Sequence, residues 1–308
     1  MRTIRIYKSK SMNPSSLLLL RRRRLRLPPD RWMLALLAVV LCITALGHAP
    51  PASAAGTRLV TIGGAVTETV FALGAGSQVV AVDTSSTYPD AAQQRPKVGY
   101  ARTLAAEGIL AMRPDVVLAA AHAGPETVFT QLAAAGIEVI RVADPRSPDQ
   151  ALQMIDQLAE VLGRPDAGAQ LRSRLQQQLD RLGATAFPAE RGLVVMGGQG
   201  GQLLVAGQTT AADAMLGLVG LPNAAAALPG YRPVGDEGLL TMTPTIVIVP
   251  DHALAALGGL EGLRSRPALV GLDGSRFIVM ESLLLLGMGP RLGEAVQSLA
   301  AAITRTQP

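Results

Sequence analysis

Two stretches of this chain, 130 positions apart, carry nearly the same pattern, and a chain that repeats itself at that spacing is built to fold as two similar halves. Residues 99–118 read Gly-Tyr-Ala-Arg-Thr-Leu-Ala-Ala-Glu-Gly-Ile-Leu-Ala-Met-Arg-Pro-Asp-Val-Val-Leu, and residues 230–248 read Gly-Tyr-Arg-Pro-Val-Gly-Asp-Glu-Gly-Leu-Leu-Thr-Met-Thr-Pro-Thr-Ile-Val-Ile. Glu107, Met112 and Pro114 recur as Glu237, Met242 and Pro244 at a constant offset, and a Gly-Tyr pair precedes each glutamate. A second echo sets Arg58-Leu-Val-Thr-Ile-Gly-Gly against Arg191-Gly-Leu-Val-Val-Met-Gly-Gly. Each half offers one tyrosine and one glutamate at equivalent places. That suits a two-lobed binding protein better than an enzyme with one asymmetric site.

The net charge of +5 misleads until the first 55 residues are set apart. They hold ten of the basic residues and a single acid, Asp30. The basic run leads into the apolar stretch Met33–Leu46 and then into Pro50-Pro51-Ala52-Ser53-Ala54-Ala55. A positive lead, a short apolar core and an Ala-x-Ala end are the marks of a secretory signal peptide, and the core is shorter than the roughly 20 residues a membrane span needs. The remaining chain has a net charge of −4, which removes the electrostatic support for nucleic-acid binding. The only cysteine, Cys42, lies inside the apolar core, so the exported part holds no disulfide and no thiolate site. A free, soluble, monomeric protein of the periplasm is expected.

Along residues 56–146, short apolar strands alternate with helices, which implies parallel pairing with helices on the faces. Thr67 reads as the N-cap of a helix over 68–73. Ser147-Pro148-Asp149 is a strong helix start, and the sequence stays helical to Leu182 with only Gly163-Arg-Pro interrupting. Its glutamine-rich part, 170–181, reads as a long, partly solvated helix joining two lobes. The strand–glycine theme restarts at Arg191 and runs through helices near 210–219 and 290–304. The expected organisation is a signal peptide at 1–55, an N-terminal α/β lobe at 56–146, a connecting helical segment at 147–189 and a C-terminal α/β lobe at 190–308.

The run Gly63-Gly64-Ala65-Val66-Thr67-Glu68, the segment Asp83-Thr-Ser-Ser-Thr-Tyr-Pro and above all Val98-Gly99-Tyr100-Ala-Arg102-Thr-Leu104-Ala-Ala-Glu107-Gly108 resemble the haem-binding periplasmic proteins of bacterial haem ABC importers. The resemblance implies two Rossmann-like α/β lobes joined by a long helix, with the ligand in the interlobe cleft. It implies ferric haem b, carried as transported ligand, with Tyr100 as the axial ligand of its iron; one haem is expected, because neither His122 nor His252 aligns with the role of second-haem ligand that some relatives have. The chemistry agrees, because a phenolate is a hard anionic donor suited to Fe(III). Ionising a phenol of pKa about 10 at neutral pH takes roughly 4 kcal/mol, which the ferric ion and a nearby guanidinium offset. By the same resemblance Arg102 is the second-shell partner of Tyr100. Tyr231 and Arg232 line the opposite cleft wall, by ring stacking or by contact with a propionate. Thr67 offers a hydroxyl where Ala65 replaces the family's serine, and Met288 lies on the cleft floor beside the leucines 283–286. Glu107 and Glu237 are the residues that dock onto the two subunits of an ABC permease dimer in the inner membrane. His122 and His252 follow strands on the ligand side of the sheets and match no family role. A siderophore or cobalamin carrier of the same class is the alternative.

Enzyme chemistry has little to stand on. The chain has no Gly-x-Ser-x-Gly elbow, no P-loop and no His-Glu-x-x-His pair, and Gly197-Gly-Gln-Gly-Gly lacks dinucleotide spacing.

Overall fold

The computed structural model describes residues 56–182, 186–199 and 202–306. The expected signal peptide at 1–55 lies outside them. Residues 56–308 form one compact unit.

The chain opens with β1 (Leu59–Ile62), α1 (Gly64–Ala72), β2 (Val79–Val82), α2 (Asp90–Gln93), α3 (Ala106–Leu110), β3 (Val116–Ala120), α4 (Glu126–Ala134) and β4 (Glu138–Val142). These strands form a parallel sheet of order β2-β1-β3-β4. All four residues of β1 are buried, as a central parallel strand covered on both faces requires. Two helices follow, α5 (Pro148–Val161) and α6 (Pro165–Asp180). The second half contains β5 (Gly192–Gln199), β6 (Gln202–Ala206), α7 (Ala211–Leu218), β7 (Tyr231–Val234), α8 (Asp236–Met242), β8 (Ile246–Pro250), α9 (Gly259–Arg264), β9 (Phe277–Met280), α10 (Ser282–Leu286) and α11 (Leu292–Thr306). Its five-stranded sheet has the order β7-β6-β5-β8-β9. The fold is two α/β lobes in one chain.

The second sheet is mixed. β5, β8 and β9 run parallel, while β6 and β7 form an antiparallel ribbon on one edge. The sequence reading did not anticipate that ribbon. Gly197 and Gly198 continue β5 beyond Val194 and Val195, so its second half lacks the β-branched side chains that signal a strand. Pro233 sits in β7 on the sheet edge, where a residue without an N–H is tolerated.

The joining segment also differs from one long helix. α5 starts at the expected Ser147 cap, whose side chain accepts from the Gln150 N–H at 3.2 Å. It ends in a turn through Gly163, at φ 63°, where the Arg164 N–H reaches back to the Ala159 carbonyl at 2.8 Å. Pro165 then opens α6, which packs back along α5. The two backbones come so close at Gly168 that an added Cβ would lie 2.3 Å from the Ala159 Cβ. α5 also lies against α1 of the first lobe and α6 against α11 of the second. The joint is therefore a helical hairpin with one arm on each lobe. The main hydrophobic cluster runs through both arms and both lobes, from Leu59 and Val70 through Ile155 and Leu175 to Ile248 and Leu299. At roughly 1.5–3 kcal/mol for each fully buried large aliphatic side chain, this shared core holds the lobes at a fixed separation.

Candidate ligand cleft

Open parallel sheets bind ligands beyond the carboxyl ends of their strands. In the first lobe those ends lead to the turn at Gly63, to the loop 83–105, to His122 and to Asp144. In the second they lead to Asp251 and His252 after β8 and to Glu281 and Ser282 after β9.

The Tyr100 loop is tied down on both sides. The Val82 N–H donates to the Pro96 carbonyl and the Val98 N–H to the Val82 carbonyl, the Thr84 N–H meets the Gly99 carbonyl, and Gly99 turns the chain at φ 106°. The Leu104 N–H and the Gly124 N–H cross-bond this loop to the loop carrying His122. Ala101 is buried, which leaves its neighbours Tyr100, 49 % exposed, and Arg102 outward. Among the described residues, neither side chain has a hydrogen-bond partner within the protein. Tyr231 is presented differently. It opens the edge strand β7 opposite Ala206, just after Gly230 at φ 64°. Both glycines of the Gly-Tyr echo thus adopt the left-handed backbone that L side chains rarely take. Beyond them the halves diverge, one into a turn and the other into a strand, which accounts for the one-residue slip between tyrosine and glutamate.

Burial pushes the Tyr231 phenol up from its ordinary value, and the charges of Arg102 and then Arg146 pull it back. Both arginines belong to the first lobe, so their charges act on a tyrosine of the second. Sequence reasoning placed Arg102 beside Tyr100 and passed over Arg146, which carries no motif. Arg232 is exposed and donates to the Tyr231 carbonyl at 3.3 Å.

Thr67 corrects an expectation. It lies inside α1 rather than at its cap, with Gly63 as the N-cap residue. Its side chain is fully buried, and its hydroxyl bonds to Thr61 Oγ1 and Ser86 Oγ, both at 2.7 Å. No hydroxyl is left there for a propionate. The same network centres on buried Asp83, whose carboxylate accepts from the Gly63 N–H at 2.9 Å, from the Ser85 N–H at 2.9 Å and from both serine hydroxyls. The Asp-Thr-Ser-Ser segment therefore scaffolds the Gly63–Gly64 turn. Met288, expected on the cleft floor, is 1 % exposed and belongs to the shared core, so it supports the floor from beneath.

Beneath the cleft the lobes are clamped together. Glu68 of α1 accepts from Arg291 Nε at 3.1 Å, from Arg291 Nη2 at 3.1 Å and from the Arg291 N–H at 3.2 Å. Arg291 also reaches Glu281 at 3.3 Å and lies 3.6 Å over the Tyr88 ring. Burial raises the Glu68 carboxyl, with Arg291 opposing. Glu68 closes the Gly63–Glu68 motif, but nothing in the sequence pairs it with Arg291, 223 positions away.

Two histidines stand at the rim with one ring nitrogen engaged. His122 Nδ1 meets Asp144 Oδ1 at 2.7 Å. His252 Nδ1 meets Ser282 Oγ at 2.6 Å, and that hydroxyl donates to Asp251. Glu107 and Glu237 are exposed in the first turns of α3 and α8, and among the described residues neither has a partner. No described helix is long and apolar enough to cross a membrane.

Residues 59–273 match the periplasmic binding protein family, and the chain belongs to it. Within that family it is similar to the solved structure of the periplasmic haem-binding protein BhuT in complex with two haems. The two are 38 % identical, with a TM-score of 0.77, over 82 % of this chain and 99 % of that one. It is 35 % identical, at a TM-score of 0.77, to the apo periplasmic haem-binding protein RhuT from Roseiflexus sp. RS-1, over 82 % and 99 % of the respective chains. A vitamin B12-binding protein of Yersinia pseudotuberculosis is 34 % identical over 145 residues, which is 47 % of this chain and half of that relative.

Proposed function

We propose that this protein captures ferric haem between its two lobes in the periplasm, as a monomer exported by a cleaved signal peptide, and delivers it to the permease dimer of an ABC importer. The observation that supports the reading is the Tyr100 loop, which leaves Tyr100 and Arg102 outward, while the charges of Arg102 and Arg146 act on Tyr231 of the other lobe. Among the described residues no three His, Cys, Asp or Glu side chains gather as a metal site. Iron held at Tyr100 therefore brings most of its own ligands, as a porphyrin does. Tyr100 supplies the axial phenolate, and the second-lobe Tyr231 and Arg232 cover the opposite face. The arginines match the two propionate charges of the ligand. Glu107 and Glu237 offer one unpaired carboxylate per lobe to the two permease subunits.

The cobalamin reading rests on the similarity to the vitamin B12-binding relative. Titration separates the two. Hemin added to the protein gives a saturable complex with the absorbance of a tyrosinate-ligated, high-spin ferric haem, and the end point gives the number of haems held. Tyr100→Phe weakens binding at least about tenfold, as loss of an anionic iron ligand does, and changes that spectrum. Unchanged affinity and spectrum in this variant would refute the ligand assignment. Saturable binding of cyanocobalamin without hemin binding would transfer the function to the other cargo.

A further inference from the structure

The two glutamate-bearing helices share more than their sequence. α3 reads Ala-Glu-Gly-Ile-Leu and α8 Asp-Glu-Gly-Leu-Leu-Thr-Met, with Ile109 and Leu239 fully buried at the same step. Both are short, and short helices are marginal unless something outside them holds their ends. The turns into which they run leave carbonyls that need partners from elsewhere in the lobe. In each lobe the chain leaves the helix through a non-glycine residue in the left-handed region, Arg113 at φ 48° and Thr243 at φ 45°, each followed by a proline.

The partner at each exit is the arginine that opens the lobe. Arg58 donates from Nε to the Arg113 carbonyl at 2.9 Å and from Nη2 to the Met112 carbonyl at 2.7 Å. Arg191 donates from Nε to the Met242 carbonyl at 3.1 Å. The backbone beneath repeats bond for bond. The Arg58 N–H meets Asp115 Oδ2 at 2.7 Å, and the Arg191 N–H meets Thr245 Oγ1 at 2.8 Å. The Arg58 carbonyl accepts from residues 115 and 116, and the Arg191 carbonyl from residues 245 and 246. Arg191 thus meets the last carbonyl of α8, while Arg58 holds the turn two and three residues past the end of α3, and a guanidinium at either place matches the negative end of the helix dipole.

We infer that Arg58 and Arg191 are paired positioning residues that hold α3 and α8, and so Glu107 and Glu237, in the orientation the permease dimer receives. The inference rests on the docking role proposed above for the two glutamates. Nothing about cargo requires these arginines, because each acts at the end of its helix away from the glutamate. An arginine on the exit turn in both lobes suits two equivalent subunits to meet.

The test uses the importer complex of the source organism reconstituted in vesicles, with hemin-loaded protein titrated against ATPase stimulation. Arg58→Gln with Arg191→Gln raises the half-saturating protein concentration roughly fivefold, leaves the maximal rate and hemin affinity unchanged, and speeds amide exchange in 106–112 and 236–242. Arg58→Lys with Arg191→Lys recovers part of the loss. Glu107→Ala with Glu237→Ala serves as the reference for docking itself. A glutamate pair that weakens docking beside a folded arginine pair that does not would overturn the positioning role alone. A glutamate pair without effect, or a wild type that hemin does not activate, would remove the docking reading and this inference with it. Should the double arginine variant not fold, Arg191→Gln alone carries the test, with a smaller rise expected and no rise counting against the inference.

Discussion

Replacing Arg291 with methionine tests the clamp that joins the lobes. The wild-type arginine gives the Glu68 carboxylate two side-chain bonds of 3.1 Å, and the Glu68 side chain is only 4 % exposed. Removing the partner of a buried charge costs about 3–5 kcal/mol, mostly because the remaining carboxylate is stranded. The cation over the Tyr88 ring is lost as well, worth about 0.5–2 kcal/mol at any pH. The sign of the pH dependence follows from Glu68. Burial already holds its carboxyl above the ordinary value, and Arg291 is what draws it back. In the variant the folded-state value rises further, so the folded protein holds more protons than the unfolded chain. Stability then falls as pH climbs from the ordinary carboxylate range through the folded value, and returns on the acid side as Glu68 takes a proton. At about 2–4 °C per kcal/mol for a unit of this size, the deficit at pH 8 is of the order of 10 °C in Tm, shrinking toward pH 5. Thermal unfolding followed by circular dichroism over that range reads it directly. Glu68→Gln combined with Arg291→Met should recover most of the loss, since no charge is left stranded. A deficit that is equal at both pH values and persists in the double variant would refute the reasoning.

Two further outcomes follow from the geometry. Gly64→Ala places a Cβ 2.6 Å from Leu283 Cδ1 of the second lobe and 2.8 Å from the Ser85 carbonyl of the first. Overpacking of that kind costs about 1–3 kcal/mol, and an unchanged Tm would show the lobes less tightly joined there than described. Arg102→Gln removes the larger of the two charges opposing burial at Tyr231, so its phenol ionises at higher pH. Near-ultraviolet difference absorbance detects the shift, and its presence in a Tyr231→Phe background would show that it belongs to another tyrosine.

The first lobe was legible in the sequence because its strands are runs of Leu, Val and Ile bounded by glycine and its connections are short. The Ser147 cap was legible because Ser-Pro-Asp fixes it within three residues. The antiparallel ribbon was not, since glycines in β5 and a proline in β7 hide a strand from any pattern based on propensity. Thr67 was misplaced for a local reason. A threonine before a glutamate suits a cap, but the helix already begins at Gly64, because Gly63 turns the chain and Asp83 holds its N–H. The hairpin of α5 and α6 turned on how a Gly-Arg-Pro interruption folds, which the sequence marks without giving its direction. Tyr100, Arg102, Tyr231 and the two glutamates are candidates that echo and motif single out. Arg146, the Glu68–Arg291 clamp and the arginines that hold α3 and α8 are facts of tertiary contact, and a single sequence does not display them.

The core that runs without a break from one lobe through the hairpin to the other bears on how such a carrier spends its motion. Lobes that share buried side chains cannot swing apart as separate bodies without opening a seam of apolar surface to water. Loaded and empty forms of the protein are therefore expected to have nearly the same outline, and a membrane partner would gain little information from outline alone. In the transport role proposed here, cargo is let go when something outside the protein supplies the work of forcing that seam. The carrier by itself is a clasp without a spring.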